Sequence, residues 1–223
     1  MAMGKRLRHY IRMRRRNIII KLRNFLLKMH RPFLYFLFLV PGFFLYLQAE
    51  TGALGIDPVI ALERGLGLWS FRFLLLCIAL LPLSKIFSFK KLLTYRRMIG
   101  LTAFFYACAH LAVFVFIDLA GEWQAVLKQI THQLFMQCGA IVFVILLLLA
   151  VTSNQKSMRL LKRRWKKLHR LVYPAIMIGM IHFFLTYKTW TEETLFYSLV
   201  LGVILLARFR ENRLFRPFFI LGK

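Results

Sequence analysis

The chain has 223 residues, of which 60% are hydrophobic, and its mean hydropathy is +0.63. A soluble domain of this length cannot bury so much apolar surface, because a large share of its residues must contact water. The 33 lysines and arginines, set against 8 acidic residues, give a net charge of +25. These basic residues alternate with long apolar runs. The composition therefore excludes a soluble domain and predicts a membrane protein with no nucleic-acid partner.

Six apolar segments reach or approach the roughly 20 residues that a helix needs to span a bilayer. In chain order they are residues 33–49, 68–86, 99–118, 134–151, 170–187 and 194–209. The pattern predicts an all-α integral membrane protein, a bundle of six transmembrane helices. Its predicted domains are a basic N-terminal tail (1–32), the six-helix domain (33–209) and a basic C-terminal tail (210–223).

The charges between these segments separate onto two sides. The N-terminal tail, residues 85–98, residues 152–170 and the C-terminal residues from Arg208 hold 29 of the 33 basic residues. The other three connections hold seven of the eight acidic residues and three basic ones, Arg64, Lys128 and Lys188. Short basic segments stay cytoplasmic, so both termini are predicted inside and three loops outside. The N-terminal tail is also expected to lie on anionic membrane lipid.

The cysteine positions and the absence of nucleotide-binding loop motifs restrict which cofactors the sequence predicts. Cys77, Cys108 and Cys138 each lie in an apolar segment, and no CxxC or CxxCH occurs. The pattern indicates neither a zinc site nor covalently attached heme, and it predicts three small buried hydrophobic side chains. No GxGxxG fingerprint or Walker loop occurs either, so no dinucleotide domain of a familiar fold is expected.

Two histidines lie deep inside the predicted spans. His110 is about eleven residues into the third span and His182 about twelve into the fifth, roughly 16 and 18 Å at the helical rise. An imidazole in hydrocarbon needs a bonding partner. Two imidazoles at matched depth on separate helices can bind one metal, and neutral imidazole is a standard ligand of heme iron. We predict that this pair binds one heme; hydrogen bonds to neighbouring helices are the alternative.

A third histidine, His169, lies at the cytoplasmic boundary, 13 residues before His182. A second heme at this boundary would need His169 as an iron ligand. The matching depth of the third span holds Arg96 and Arg97 instead of a histidine, so the other iron ligand is not identified. The two arginines are candidates to pair with heme propionates or a bound phosphate. The alternatives are an interfacial histidine and ordinary cytoplasmic anchors. On an ideal helix His169 and His182 point about 140° apart, unless Pro174 kinks the helix.

Several stretches of the sequence resemble the ferric-reductase-like transmembrane superfamily. They are "YRRMIGL" at the start of the third span, "ACAHL" within it and "RWKKLHRLVYP…IH" across the fifth. The stretches "GALGIDPV" and "VTSNQKSMRLLKRRWKKLHRLVY" are similar to loops of one member, the MsrQ (YedZ) family of heme-binding membrane subunits. The resemblance covers residues 32 to 210.

This resemblance implies heme b, with His110, His169 and His182 at positions like those of the family's heme-associated histidines, and FMN as a further cofactor. It implies an electron-transfer subunit of the bacterial inner membrane. The partner would be MsrP, a periplasmic molybdopterin-containing subunit that reduces methionine sulfoxide in oxidised proteins. The donor would be the quinone pool or a cytoplasmic flavin reductase. No catalytic residue is expected on this chain, and whether it is an enzyme by itself stays open.

Two other functions remain compatible with the sequence. One is a stand-alone ferric or quinone reductase of the same superfamily. The other is a non-redox membrane transporter or scaffold, in which the histidines move protons or pack between helices.

Overall fold

The computed structural model describes residues 32–187 and 191–210, which form helices and turns without a strand. Almost all of both predicted basic tails lies outside the described residues. The α-helices are α1 (Pro32–Glu50), α2 (Pro58–Ile86), α3 (Arg96–Ala112), α4 (Trp123–His132), α5 (Leu134–Val151), α6 (Gln155–Leu168), α7 (Val172–Tyr187) and α8 (Glu192–Arg210). Short 3-10 helices cover Lys90–Tyr95 and His169–Leu171, and a π-helix covers Val113–Asp118.

Five helical stretches among the described residues are long and apolar enough to cross a membrane. They are Pro32–Glu50, Pro58–Ile86, Lys90–Asp118, Leu134–Val151 and Gln155–Tyr187. Each contains one of the first five predicted spans. The sixth predicted span forms α8, which is not among the five because Glu192, Glu193 and Arg208 bring charge to both of its ends. The described part of the chain is therefore all-helical, and its apolar helices are those of a multi-pass membrane protein.

The chain divides into two units, residues 1–43 and 44–223. Of the first unit, the structure describes the beginning of α1. In the second unit, α2 packs against α3 and α7, and α5 packs against the same two helices, so the four helices form a ring. α8 packs against α2 and α7. Ile78, Ala103 and Ile176 are fully buried in this core, and the Ser70 hydroxyl donates to the Ala103 carbonyl at 2.8 Å.

The chain after α3 differs from the predicted loop. After α3 the backbone widens into the π-helix, and then α4 forms from residues that are too few to cross a bilayer. The buried Val126 of α4 packs with Phe114 and Val115 of the π-helix. Residues 119–133 were predicted as a connection between two spans. The ten residues of α4 are too few for a membrane span, so span length alone does not predict this helix.

The segment before His182 also differs from the straight helix expected there. α6 begins after Asn154, whose side-chain oxygen accepts from the Ser157 N–H at 2.7 Å. It ends at Leu168, and the 3-10 helix separates it from α7. Pro174 is the third residue of α7, where a backbone N–H has no partner within the helix, so it is tolerated there. The departure from α-helical geometry lies before Pro174.

Candidate functional site

The structure brings His110 of α3 and His182 of α7 together. Their ring centres lie 6.3 Å apart, with the ring planes at 75°. Both rings line one cavity of about 320 Å³ between α2, α3, α5 and α7, which we call the outer cavity. The two histidines for which the helical rise predicts matching depths are therefore close to each other in the structure.

Each ring is held by a backbone carbonyl of a neighbouring helix. His110 Nδ1 donates to the Glu63 carbonyl of α2 at 2.9 Å, and His182 Nδ1 donates to the Phe135 carbonyl of α5 at 2.6 Å. A carbonyl oxygen only accepts, so in both rings Nδ1 carries the hydrogen. Nε2 then keeps its lone pair, as in histidines that bind a metal through one nitrogen and a carbonyl through the other.

The geometry fits one iron atom between the rings. Two imidazoles on opposite sides of a metal, each with a metal–nitrogen bond of about 2 Å, have ring centres roughly 6 Å apart. Among the described residues, no group of three or more histidines, cysteines or acids could hold a metal ion. Two histidines are the protein ligands that a heme iron needs, because the porphyrin supplies the others. The apolar side chains around them, such as Leu111, Phe114 and Phe143, suit a porphyrin.

One end of the outer cavity is polar. Glu63, Arg64, Thr186 and Tyr187 lie there, at the ends of α2 and α7. The Arg64 guanidinium lies 5.3 Å from the centre of the Tyr187 ring. Arg64 is the one arginine or lysine among the described residues that line this cavity. In the sequence, Arg64 is predicted only as a charge of a connection between spans. Its position four residues before the second predicted span (68–86) is the signal that could have linked it to the site.

A second, inner cavity of about 1100 Å³ contains His169, Arg96 and Arg97. The structure therefore groups three residues that the sequence analysis placed at the cytoplasmic boundary. Further cations line this cavity: Lys166, Arg170 and Arg208. No aspartate or glutamate occurs among the described residues around it. Its electrostatic character is that of a site for an anion.

His169 is bonded differently from the outer pair. Its Nε2 lies 3.1 Å from the Thr152 hydroxyl oxygen, and that hydroxyl in turn donates to the Leu148 carbonyl at 2.7 Å. Trp165 stacks on the imidazole with ring centres 4.0 Å apart, and its Nε1 donates to the Thr152 carbonyl at 2.9 Å. Among the described residues that line the inner cavity, His169 is the one histidine. The structure does not pair it with a second imidazole.

The two cavities adjoin. Leu74 of α2 and Leu146 of α5 line both of them. Two apolar side chains thus separate the paired histidines from the basic cluster. An arrangement of this kind suits two redox groups at different depths of one helix ring.

Comparison with known proteins places the chain beside transmembrane, heme-binding proteins. Residues 66–180 match the family described as "Ferric reductase like transmembrane component". The chain is 39% identical over 158 residues to "Protein-methionine-sulfoxide reductase heme-binding subunit MsrQ" of Xanthomonas oryzae pv. oryzae, which covers 71% of this chain and 72% of that protein. The protein of the same name from Brucella anthropi is 39% identical over 175 residues, covering 78% and 79%. The Brucella ovis protein is 38% identical over 169 residues, covering 76% of each.

Proposed function

The chain belongs to the ferric reductase-like transmembrane family, among the MsrQ heme-binding subunits, and on that premise we propose that it binds heme b between His110 and His182 and transfers electrons across the membrane. The observation that carries the proposal is the pair of imidazoles at 6.3 Å, each with Nδ1 on a carbonyl. The absence of CxxCH in the sequence supports a non-covalent, b-type heme.

The residues of the outer cavity have separate roles in this proposal. A heme bound there supplies a one-electron Fe(III)/Fe(II) couple. The Glu63 and Phe135 carbonyls fix the tautomer and orientation of the two ligands, which raises their basicity. The apolar lining excludes water. Together with the two imidazoles, that burial would tune the reduction potential of a bound heme.

We further propose that the chain crosses the membrane six times, with α8 as the sixth span. Both termini would then lie in the cytoplasm, and the membrane would be the inner membrane of a bacterium. At 1.5 Å per residue, the 19 residues of α8 extend about 28 Å, close to the thickness of a bilayer core. The acidic Glu192 and Glu193 begin it, and Arg208 lies near its other end. The membrane domain then covers residues 33–209, between the basic tails 1–32 and 210–223.

The inner cavity is proposed to hold a second, anionic cofactor. Arg96 and Arg97 are placed to pair with the phosphate of FMN or with the propionates of a second heme. His169 is the candidate iron ligand for a second heme, although its Nε2 is engaged by Thr152. Either cofactor would supply redox chemistry on the cytoplasmic side, with the quinone pool or a flavin reductase as the proposed donor, and Leu74 and Leu146 would lie between it and the outer cavity.

The proposed acceptor is a periplasmic, MsrP-like molybdopterin subunit that reduces methionine sulfoxide in oxidised proteins. The support is the name of the relatives, which describes them as heme-binding subunits of a protein-methionine-sulfoxide reductase. The reductive chemistry on the substrate would then belong to the partner, and this chain would deliver electrons to it.

The test is to express the full chain with ample heme supply, purify it and record its visible spectrum before and after reduction. We expect the sharp bands of a reduced bis-histidine heme; a colourless preparation would favour a transporter or scaffold. In proteoliposomes, reduction from the inside should support methionine-sulfoxide turnover only when the periplasmic subunit is added outside. Rapid iron(III) reduction without that subunit would favour a stand-alone ferric reductase.

A further inference from the structure

The two iron-ligand candidates are held by the same local arrangement on two different helix pairs. In each, a carbonyl on one helix accepts from the imidazole, and a glycine one turn later on that helix lies against the ring. The two sets are Glu63, Gly67 and His110, and Phe135, Gly139 and His182. A single shift of 72 residues relates them (63 to 135, 67 to 139, 110 to 182). The helix pairs α2–α3 and α5–α7 thus present the same set of three groups to the outer cavity.

A Cβ at either glycine would contact the histidine ring more tightly than ordinary van der Waals packing allows. A Cβ on Gly67 would lie 3.2 Å from His110 Nδ1 and 3.3 Å from its Cε1. A Cβ on Gly139 would lie 3.0 Å from His182 Cε1 and 3.2 Å from its Nδ1. Close-packed interiors transmit such overlaps to their neighbours. The rings cannot simply retreat, because each Nδ1 is bonded to the carbonyl one turn earlier on the same helix.

We propose that Gly67 and Gly139 are positioning residues for the two axial histidines. Each lets an imidazole lie against a helix backbone close enough for Nδ1 to reach its carbonyl, which leaves Nε2 as the nitrogen that can bind iron. An alanine at either position pushes the ring away, and the loss appears as altered iron ligation. The inference rests on the proposed heme site and deepens it.

The experiment compares Gly67→Ala and Gly139→Ala with two matched controls in the full chain. Gly65→Ala puts a Cβ 2.9 Å from the flexible Leu45 side chain on the opposite face from the histidine, and Gly202→Ala meets no atom within 4 Å. We expect the first two to lower heme affinity by about 10-fold or more, the range seen when support of a metal ligand is lost. Their reduced forms should also bind carbon monoxide, because one axial ligand is displaced, whereas the controls should retain the unperturbed spectrum.

A double-mutant cycle keeps the proposal testable if Gly67→Ala folds poorly. In a His110→Ala background the ring is gone, so adding Gly67→Ala should cause no further loss of thermal stability. An equal loss in both backgrounds would overturn the positioning role, as would an unchanged spectrum and carbon monoxide response in both alanine variants. Absence of heme from the unmutated protein would instead overturn the proposed function itself.

Discussion

The outer and inner cavities occupy one ring of helices, yet their polar groups differ in kind. The outer cavity presents two histidines in a mostly apolar lining, with Arg64 at its edge. The inner cavity presents one histidine among several cations, including Arg96 and Arg97. The contrast indicates that ligand bonds to a metal would define the outer site, whereas charge would define the inner one.

The hydrogen bonds that hold the histidines differ in the same way. Backbone carbonyls hold His110 and His182 through Nδ1, and no side-chain substitution removes a carbonyl. A side chain, that of Thr152, holds His169 through Nε2, which is the nitrogen left open in the outer pair. The two outer imidazoles are thus oriented by the backbone, whereas the hydrogen bond of His169 depends on one replaceable hydroxyl.

The largest expected effect comes from removing an outer histidine. His110→Ala and His182→Ala should each abolish the same heme, because one imidazole alone leaves the iron under-ligated in an apolar cavity. His169→Ala should leave that heme in place. Heme per chain, measured by pyridine hemochromogen assay, checks this. Full heme content in His110→Ala would contradict the assignment.

The next effect concerns the basic cluster. The double variant Arg96→Ala/Arg97→Ala should weaken binding of an anionic cofactor by about 10-fold or more, because paired guanidinium groups bind phosphate and carboxylate strongly. Flavin fluorescence and heme content of the purified protein distinguish FMN from a second heme. Arg159→Ala/Arg163→Ala, a change at exposed positions of α6, is the control. Equal losses in both double variants would show that only total charge matters.

A smaller effect is expected at Arg64. Replacing it with glutamine removes a cation beside the outer cavity, which favours the oxidised, more positive iron and lowers the midpoint potential by an amount on the order of tens of millivolts. Heme content should stay the same. Spectroelectrochemical titration measures the shift, with the exposed Lys128→Gln of α4 as the charge-matched control. A potential that rises, or moves equally in the control, would contradict the expected role.

The smallest effect should follow Thr152→Val, which removes the hydroxyl bonded to His169. A lost hydrogen bond of this kind costs about 1 kcal/mol of stability. The thermal midpoint should therefore fall slightly, and the outer heme spectrum should not change. Thr131→Val is the control, because that hydroxyl donates to carbonyls of its own helix α4. A change in the outer heme would mean that the two cavities are more strongly coupled than their separate linings indicate.

Much of this architecture follows from the sequence because membranes impose simple rules. Span length predicted five of the helices, and the boundaries Leu134–Val151 agree with the structure. The helical rise alone predicted that His110 and His182 lie at one depth. It could not predict that the ring centres lie 6.3 Å apart, because that depends on how α3 and α7 rotate when the four-helix ring packs.

The missed features depend on contacts between residues far apart in the chain. Gly67 and Gly139 are ordinary small residues until a histidine 43 positions later (67 to 110, 139 to 182) lies against each. The carbonyls of Glu63 and Phe135 belong to the backbone, so the residue types at these positions do not reveal them. The 72-residue shift is hidden because the surrounding residues, "ERGLG" and "FMQCG", share only their last letter.

The most direct test of the account is near-infrared magnetic circular dichroism of the oxidised His169→Ala variant, in which the outer site supplies the ligand-sensitive charge-transfer band. We predict the band of two imidazole ligands, since His110 and His182 are the proposed iron ligands. Met136 also lines the outer cavity, so a methionine in place of one histidine is the alternative iron ligand that the spectrum would detect. A histidine–methionine band, or a high-spin iron with a single imidazole, would contradict the account.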